Sequence, residues 1–197
     1  SGNKYGLLSS EGKILVKAGY DKIRTISEDL YIASIKDGFN IKSGVIDVNG
    51  NVIIDIQYYY IEPFYGRVVH SDMSLVKNID LKDTEVPEKI EHFLINNRGY
   101  GLIDLKANVC IQPVYEDIQK TEYGYILKKD NKYGYAALDY SIICEPKYAS
   151  IEEVGNGFKR VSMSTSFGLR YGIIDQSGKE CLEPIYISIG NMNEDGE

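Results

Sequence analysis

The stretch Tyr100-Gly-Leu-Ile-Asp-Leu-Lys-Ala-Asn-Val-Cys-Ile-Gln-Pro-Val-Tyr115 decides the fold, because versions of it recur four more times. With its glycine as reference, the anchors are Tyr5-Gly6, Ser43-Gly44, Tyr100-Gly101, Tyr133-Gly134 and Tyr171-Gly172. A tyrosine follows each at one fixed offset (Tyr20, Tyr58, Tyr115, Tyr148, Tyr186), and an isoleucine three residues later (Ile23, Ile61, Ile118, Ile151, Ile189). Prolines share an offset as well, Pro113, Pro146 and Pro184, where the first two copies carry Ala18 and Ile56. Successive glycines are 38, 57, 33 and 38 residues apart, a period in the thirties with one insertion. Self-similarity at such a period is the signature of a repeat architecture.

Within a copy, a short apolar run such as Gly101-Leu-Ile leads into a turn signal and then into a second apolar or β-branched run, such as Val52-Ile-Ile54 or Val109-Cys-Ile111. In Asp47-Val-Asn-Gly50 and Asp175-Gln-Ser-Gly178 an aspartate opens the turn and a glycine closes it; Ser9-Ser-Glu-Gly12 is the hydroxyl version. A short polar side chain bonds the turn's amides, and glycine accepts the positive φ on leaving it. Run, turn and run form a β-hairpin. Proline is then expected to stop the second strand, and the fixed Tyr and Ile to sit in a turn-like connection. A third extended segment follows: Leu30–Ile35, Gly66–Val69, Tyr123–Leu127 and Phe158–Val161. It runs into the next Tyr-Gly, so all strands are expected to be antiparallel neighbours.

The reading is all-β: tandem antiparallel hairpin repeats of about 33–38 residues in an open or twisted array, with a closed propeller-like or barrel-like ring as the alternative. The repeats span 3–40, 41–71, 98–130, 131–168 and 169–190 of a single domain over 1–190; 191–197 is expected to be a disordered tail. An insertion at about 72–97 contains Val86-Pro-Glu-Lys-Ile-Glu-His-Phe-Leu94, where proline and early acidic residues suit a short helix and a long hairpin extension is the alternative.

The pattern Tyr-Gly-hydrophobic-Ile-Asp-x-x-Gly, with an apolar run, Pro-x-Tyr and a spaced aliphatic, resembles the WG-containing repeat of bacterial proteins. The chain has no tryptophan; tyrosine takes the aromatic position in four copies and Ser43 in the other. The resemblance implies an all-β repeat module and carries over no catalytic residue.

Composition narrows the function. Apolar residues make up 43% and charged residues 26% of 197, enough for a real core. A net charge of -7 without a Lys/Arg cluster opposes binding to nucleic acid. No apolar run approaches a membrane span, and Ser1-Gly2-Asn3-Lys4 lacks the features of a signal peptide. The compartment stays open between cytoplasm and a secreted setting with its leader absent. Cys110, Cys144 and Cys181 fall in the second strands of their repeats and read as small apolar core residues; without a Cys-x-x-Cys they suggest neither zinc nor a disulfide framework. Asp47, Asp104 and Asp175 read as turn residues. No cofactor, metal or catalytic residue is expected.

The candidate binding residues lie where one copy departs from the others. Tyr58-Tyr-Tyr60, then Phe64-Tyr65 with Arg67 and His70, gathers rings beyond the repeat's needs: Tyr59, Tyr60, Phe64, Tyr65, Arg67 and His70 are the candidates. Tyrosine with arginine anchors protein interfaces or stacks on sugars. The expectation is a non-catalytic scaffold presenting a Tyr-rich acidic surface to a protein partner, with glycan binding as the alternative and an accessory domain of a larger enzyme or toxin behind both.

Overall fold

The computed structural model describes residues 3–65 and 89–190, and every element in them is a β-strand. The strands form small antiparallel sheets that follow one another along the chain. A two-stranded sheet pairs β1 (Tyr5–Leu8) with β2 (Ile14–Tyr20). Four four-stranded meanders follow. The first is β3 (Lys22–Thr25), β4 (Leu30–Asp37), β5 (Asn40–Asp47) and β6 (Val52–Tyr58); the second is β7 (Tyr60–Pro63), β8 (His92–Asn96), β9 (Tyr100–Asp104) and β10 (Val109–Tyr115). The third is β11 (Asp117–Lys120), β12 (Gly124–Lys129), β13 (Lys132–Ala137) and β14 (Ile142–Tyr148); the fourth is β15 (Ser150–Gly155), β16 (Phe158–Thr165), β17 (Gly168–Ile174) and β18 (Glu180–Tyr186). First and last strands of a sheet do not pair with each other, so no described sheet closes into a barrel.

The expected all-β repeat is thus present, with four strands per period. The repeat tyrosine ends the second strand of the hairpin, and the spaced isoleucine lies inside a further short strand, as Ile23, Ile61, Ile118 and Ile151 do. Pairing switches from one sheet to the next at the residue after the repeat tyrosine. Asp21, Tyr59, Glu116 and Ala149 each donate their amide to a carbonyl of the next sheet's long strand, and the chain turns there from one sheet into the next. The strands are therefore grouped in separate sheets, with no single continuous ladder. Each meander takes two strands from one sequence repeat and two from the following one.

Proline does not end the strand either. Pro113, Pro146 and Pro184 lie within β10, β14 and β18, which are edge strands, where a missing N–H costs no ladder bond. They also sit in a bulge. Tyr133 pairs with Tyr148 and Tyr135 with Cys144, so Gly134 alone faces Glu145-Pro146-Lys147. The same jump occurs from Tyr5/Tyr20 to Leu7/Val16, from Ser43/Tyr58 to Val45/Ile54 and from Tyr171/Tyr186 to Ile173/Leu182. The bulge pushes backbone into the opposite strand. A Cβ at Gly6, Gly44, Gly101, Gly134 or Gly172 would lie 2.3–2.6 Å from the carbonyl oxygen of Val16, Ile54, Ile111, Cys144 or Leu182. The invariant glycine is a matter of close approach, whereas Gly12, Gly50 and Gly178 close their turns at φ of 82°, 84° and 79°.

Across each meander runs one row of three residues. Ile23 faces Ala33, which faces Gly44; Ile61, Ile95 and Gly101 repeat the row, as do Ile118, Leu127, Gly134 and Ile151, Val161, Gly172. The middle residue is fully buried every time.

The described residues fall into two compact units, 3–65 with 89–114, and 115–190. In the first, Ile32, Val45, Ile54 and Tyr58 pack against Ile61, Phe93, Ile95 and Ile103 of the next sheet. In the second, Ile126, Tyr135 and Tyr148 pack against Ile151, Val161 and Ile174.

The helix considered at 86–94 is not formed where it can be examined: His92–Asn96 is strand β8, and residues 86–88 lie outside the described ones. Pairing of Ile61 with Ile95 makes β8 the third strand of its repeat, the role expected of Gly66–Val69, which also lie outside the described residues. The tail 191–197 lies outside them too.

Candidate functional site

Tyr59 is the corner residue of its repeat, the position that Asp21, Glu116 and Ala149 hold in others. Its amide is fixed on the Asn96 carbonyl at 3.0 Å, while its ring is half-exposed under the Lys42 ammonium, 3.3 Å from the ring centroid. That is a close cation–π contact. Tyr60 begins β7 in register with Asn96, which in turn faces Tyr100, so its ring reaches Tyr100 edge-on at 6.3 Å and 86°. Burial, followed by the nearby Glu62 carboxylate, pushes the Tyr60 phenol up to about 12, so it stays a neutral donor at any physiological pH. Glu62 is tied to Arg24 of β3 by an ion pair.

Of the six candidates, Tyr59 and Tyr60 come together at this corner. Phe64 and Tyr65 follow the far end of β7, roughly 13 Å along the strand. Phe64 is half-buried with its amide on the His92 carbonyl at 2.9 Å, and Tyr65 is exposed. Arg67 and His70 lie outside the described residues. Lys42 and Tyr100 complete the corner, and nothing in the sequence singled them out. Tyr100 is a regular member of the repeat motif, and Lys42 precedes the atypical Ser43 anchor.

The aspartates are occupied as expected. Asp47 Oδ1 accepts the amides of Asn49 and Asn51 at 2.8 Å, and Asp104 and Asp175 hold their turns alike. Ser9 Oγ accepts the Lys13 amide in the hydroxyl version. Among the described residues no group of three His, Cys, Asp or Glu side chains is placed to hold a metal. The cysteines are a partial correction: Cys110 and Cys144 are half-buried, but Cys181 is exposed.

The WG containing repeat model matches residues 5–38, 44–66, 100–133 and 171–196, more than half of the chain. The protein belongs to this family. No curated protein and no solved structure matches the chain. The repeat at Gly134 lies outside the matched stretches, yet its sheet has the same bulge and the same buried row as the other WG repeats. Its departure is at the turn, where Ala137 replaces the opening aspartate and Asp139 Oδ1 takes the Ser141 amide at 3.0 Å instead. The WG architecture therefore rests on glycine, bulge and row more than on the aspartate.

Proposed function

We propose that this WG repeat chain is a non-catalytic binding module whose corner Lys42, Tyr59, Tyr60 and Tyr100 receives a protein partner. The observation that carries the reading is the half-exposed Tyr59 ring held in place by an anchored backbone and a cation. Tyrosines immobilised before binding lose little entropy on contact, which is how aromatic anchors contribute most to an interface. A protein partner is favoured over a glycan because Tyr58, Tyr115 and Tyr148 are buried, so rings at the repeat interval are not available to successive sugars. Lys42 also occupies one face of Tyr59.

The test is affinity capture with the native chain beside Tyr59→Ala and Tyr60→Ala variants of unchanged thermal midpoint, together with a glycan array. Proteins retained by the native chain and lost from both variants support the reading. Equal capture by all three, or a glycan signal abolished by Tyr59→Ala, overturns it.

A further inference from the structure

The middle hairpins of the four meanders differ in how far they run beyond the repeat glycine. The β8–β9 hairpin turns after Asn96 opposite Tyr100, and β12–β13 turns after Lys129 opposite Lys132. The β4–β5 hairpin runs on through Lys36 opposite Ile41 and Asp37 opposite Asn40, and β16–β17 through Ser164 opposite Leu169 and Thr165 opposite Gly168. Each of these two arms extends roughly 7 Å farther from its glycine than β12–β13 does. Every residue over 35–41 and 163–169 is exposed. The shorter turns are polar, Asn97-Arg98-Gly99 and Asp130-Asn131, whereas both arms carry phenylalanine five residues before the glycine, at Phe39 and Phe167. An aliphatic residue stands three before it in both, at Ile41 and Leu169. The two rings are 106% and 83% exposed, so neither contributes to the packing of its own sheet. A single exposed apolar residue is ordinary, but matched rings on matched projections mark a surface meant to be covered.

The construction of the tips indicates what covers them. Gly38 opens the first loop at φ 61° and precedes its phenylalanine, whereas Gly168, at φ 95°, follows the second. Thr165 ties the second loop alone, its Oγ1 accepting the Phe167 amide at 3.2 Å and donating to the Gly168 carbonyl at 2.7 Å. What the arms share is apolarity at the end of a projection, without the common contour that one complementary pocket would require. Charge agrees with this. The arm 35–42 carries Lys36 and Lys42 against Asp37, and 163–170 carries Arg170 and no carboxylate, in a chain of net charge -7. At physiological salt the Debye length is about 8 Å, so cations beside a tip outweigh acids elsewhere on the chain. A phospholipid surface takes a phenyl ring without reading its shape and offers phosphates to the cation behind it. We propose that each arm dips its tip into a phospholipid bilayer surface. Phe39 with Ile41, and Phe167 with Leu169, enter the boundary of headgroups and acyl chains, while Lys36 and Arg170 meet the phosphates. Arg170 Nη1 also holds the Phe167 and Leu169 carbonyls at 3.2 and 2.9 Å, which stiffens that tip before contact.

The chain has no tryptophan, so Phe39→Trp and Phe167→Trp each install a single reporter at one tip. Lys129→Trp, exposed on the short β12–β13 hairpin, is the reference. With phosphatidylcholine vesicles, both tip reporters are expected to shift to the blue and to be quenched by lipid brominated in its acyl chains, while the reference is unmoved. Sedimentation with the same vesicles is expected to carry the native chain, and a chain with both Phe39→Ser and Phe167→Ser to bind at least about tenfold more weakly. Both rings are exposed, so an unchanged thermal midpoint serves as the fold control. A tip reporter that vesicles leave unshifted, a reference quenched as strongly as the tips, or a double variant that sediments like the native chain would each overturn the proposal. So would a protein retained by the native chain and lost from the double variant with no vesicle binding, because the tips would then fill a pocket in that protein. Tyr59→Ala, which tests the corner, leaves both tips in place, so the two readings fail separately.

Discussion

Gly134 lies directly against the bulge that carries Pro146: a Cβ on Gly134 would sit 2.7 Å from the Pro146 nitrogen and 2.6 Å from the Cys144 carbonyl oxygen. Backbone on both sides leaves nothing that yields easily. Gly134→Ala is expected to destabilise the chain by about 2–3 kcal/mol, at the upper end of overpacking costs. Gly19→Ala has open space around it, with no atom nearer than 3.9 Å, and is expected within about 0.5 kcal/mol of native. Denaturant midpoints of the two variants check the contrast; equal losses would show that the bulge tolerates a methyl group.

Ala107 closes its turn at φ 63°, donating its amide to Asp104 at 3.1 Å as Gly50 does to Asp47. A left-handed conformation costs an L-residue about 1–2 kcal/mol that glycine avoids. Ala107→Gly is therefore expected to stabilise by about 1 kcal/mol, reversing the usual ranking of these residues. Thermal unfolding measures it.

Lys159 is fully buried, with Nζ 3.8 Å above the Tyr135 ring and 3.0 Å from the Gly157 carbonyl. It faces Ile174 in register, where the other meanders set Tyr31 against Ile46, Phe93 against Ile103 and Tyr125 against Ala136. Burial holds its ammonium below the ordinary lysine value of 10.5. Folding thus works against the charged form, a cost present at neutral pH and relieved as pH rises towards 10.5. Lys159→Phe restores the aromatic of the other sheets and is expected to raise stability by about 1 kcal/mol or more at pH 7. The gain should shrink in alkaline solution, which separates loss of a buried charge from better packing.

Stability should fall off at both ends of the pH range. The Lys4 ammonium holds Asp21, the Asn51 amide holds Asp47 and the Ser177 hydroxyl holds Asp175 below 3.8. Folded values beneath the unfolded one mean stability that is present above pH 3.8 and lost below it. Burial raises Tyr60 and Tyr135 from 10.0 to about 12, so their contribution is present below pH 10 and lost between 10 and 12. Thermal midpoints across pH, with tyrosinate absorbance at the alkaline end, read both limbs. Tyr60→Phe should remove one of the late-titrating phenols.

The period, the turns and the hairpin strands were legible because each has a local chemical cause: Asp104 caps its own turn, and Gly50 supplies its own φ. Sheet boundaries were not. The spaced isoleucine looks like a plug after a proline stop, and only the edge position of β14 reveals why Pro146 interrupts nothing. Register was equally hidden, since the row Ile118, Leu127, Gly134 joins three strands. At the candidate corner, the extra rings of Tyr59 and Tyr60 stood out as departures from the repeat. Their partners Lys42 and Tyr100 come from other strands, which one-dimensional spacing does not record.

The unit that recurs in sequence and the unit that folds are out of step by half a sheet. A deletion or fusion made at a Tyr-Gly anchor would cut a meander in its third strand, at the start of β9 or inside β5, β13 and β17, and leave two incomplete sheets. One made at a corner residue such as Glu116 or Ala149 would pass between complete sheets. Shuffling of WG repeats that preserves the motif intact is therefore the more damaging kind, and joints at the corners are where repeats can be exchanged as whole pieces.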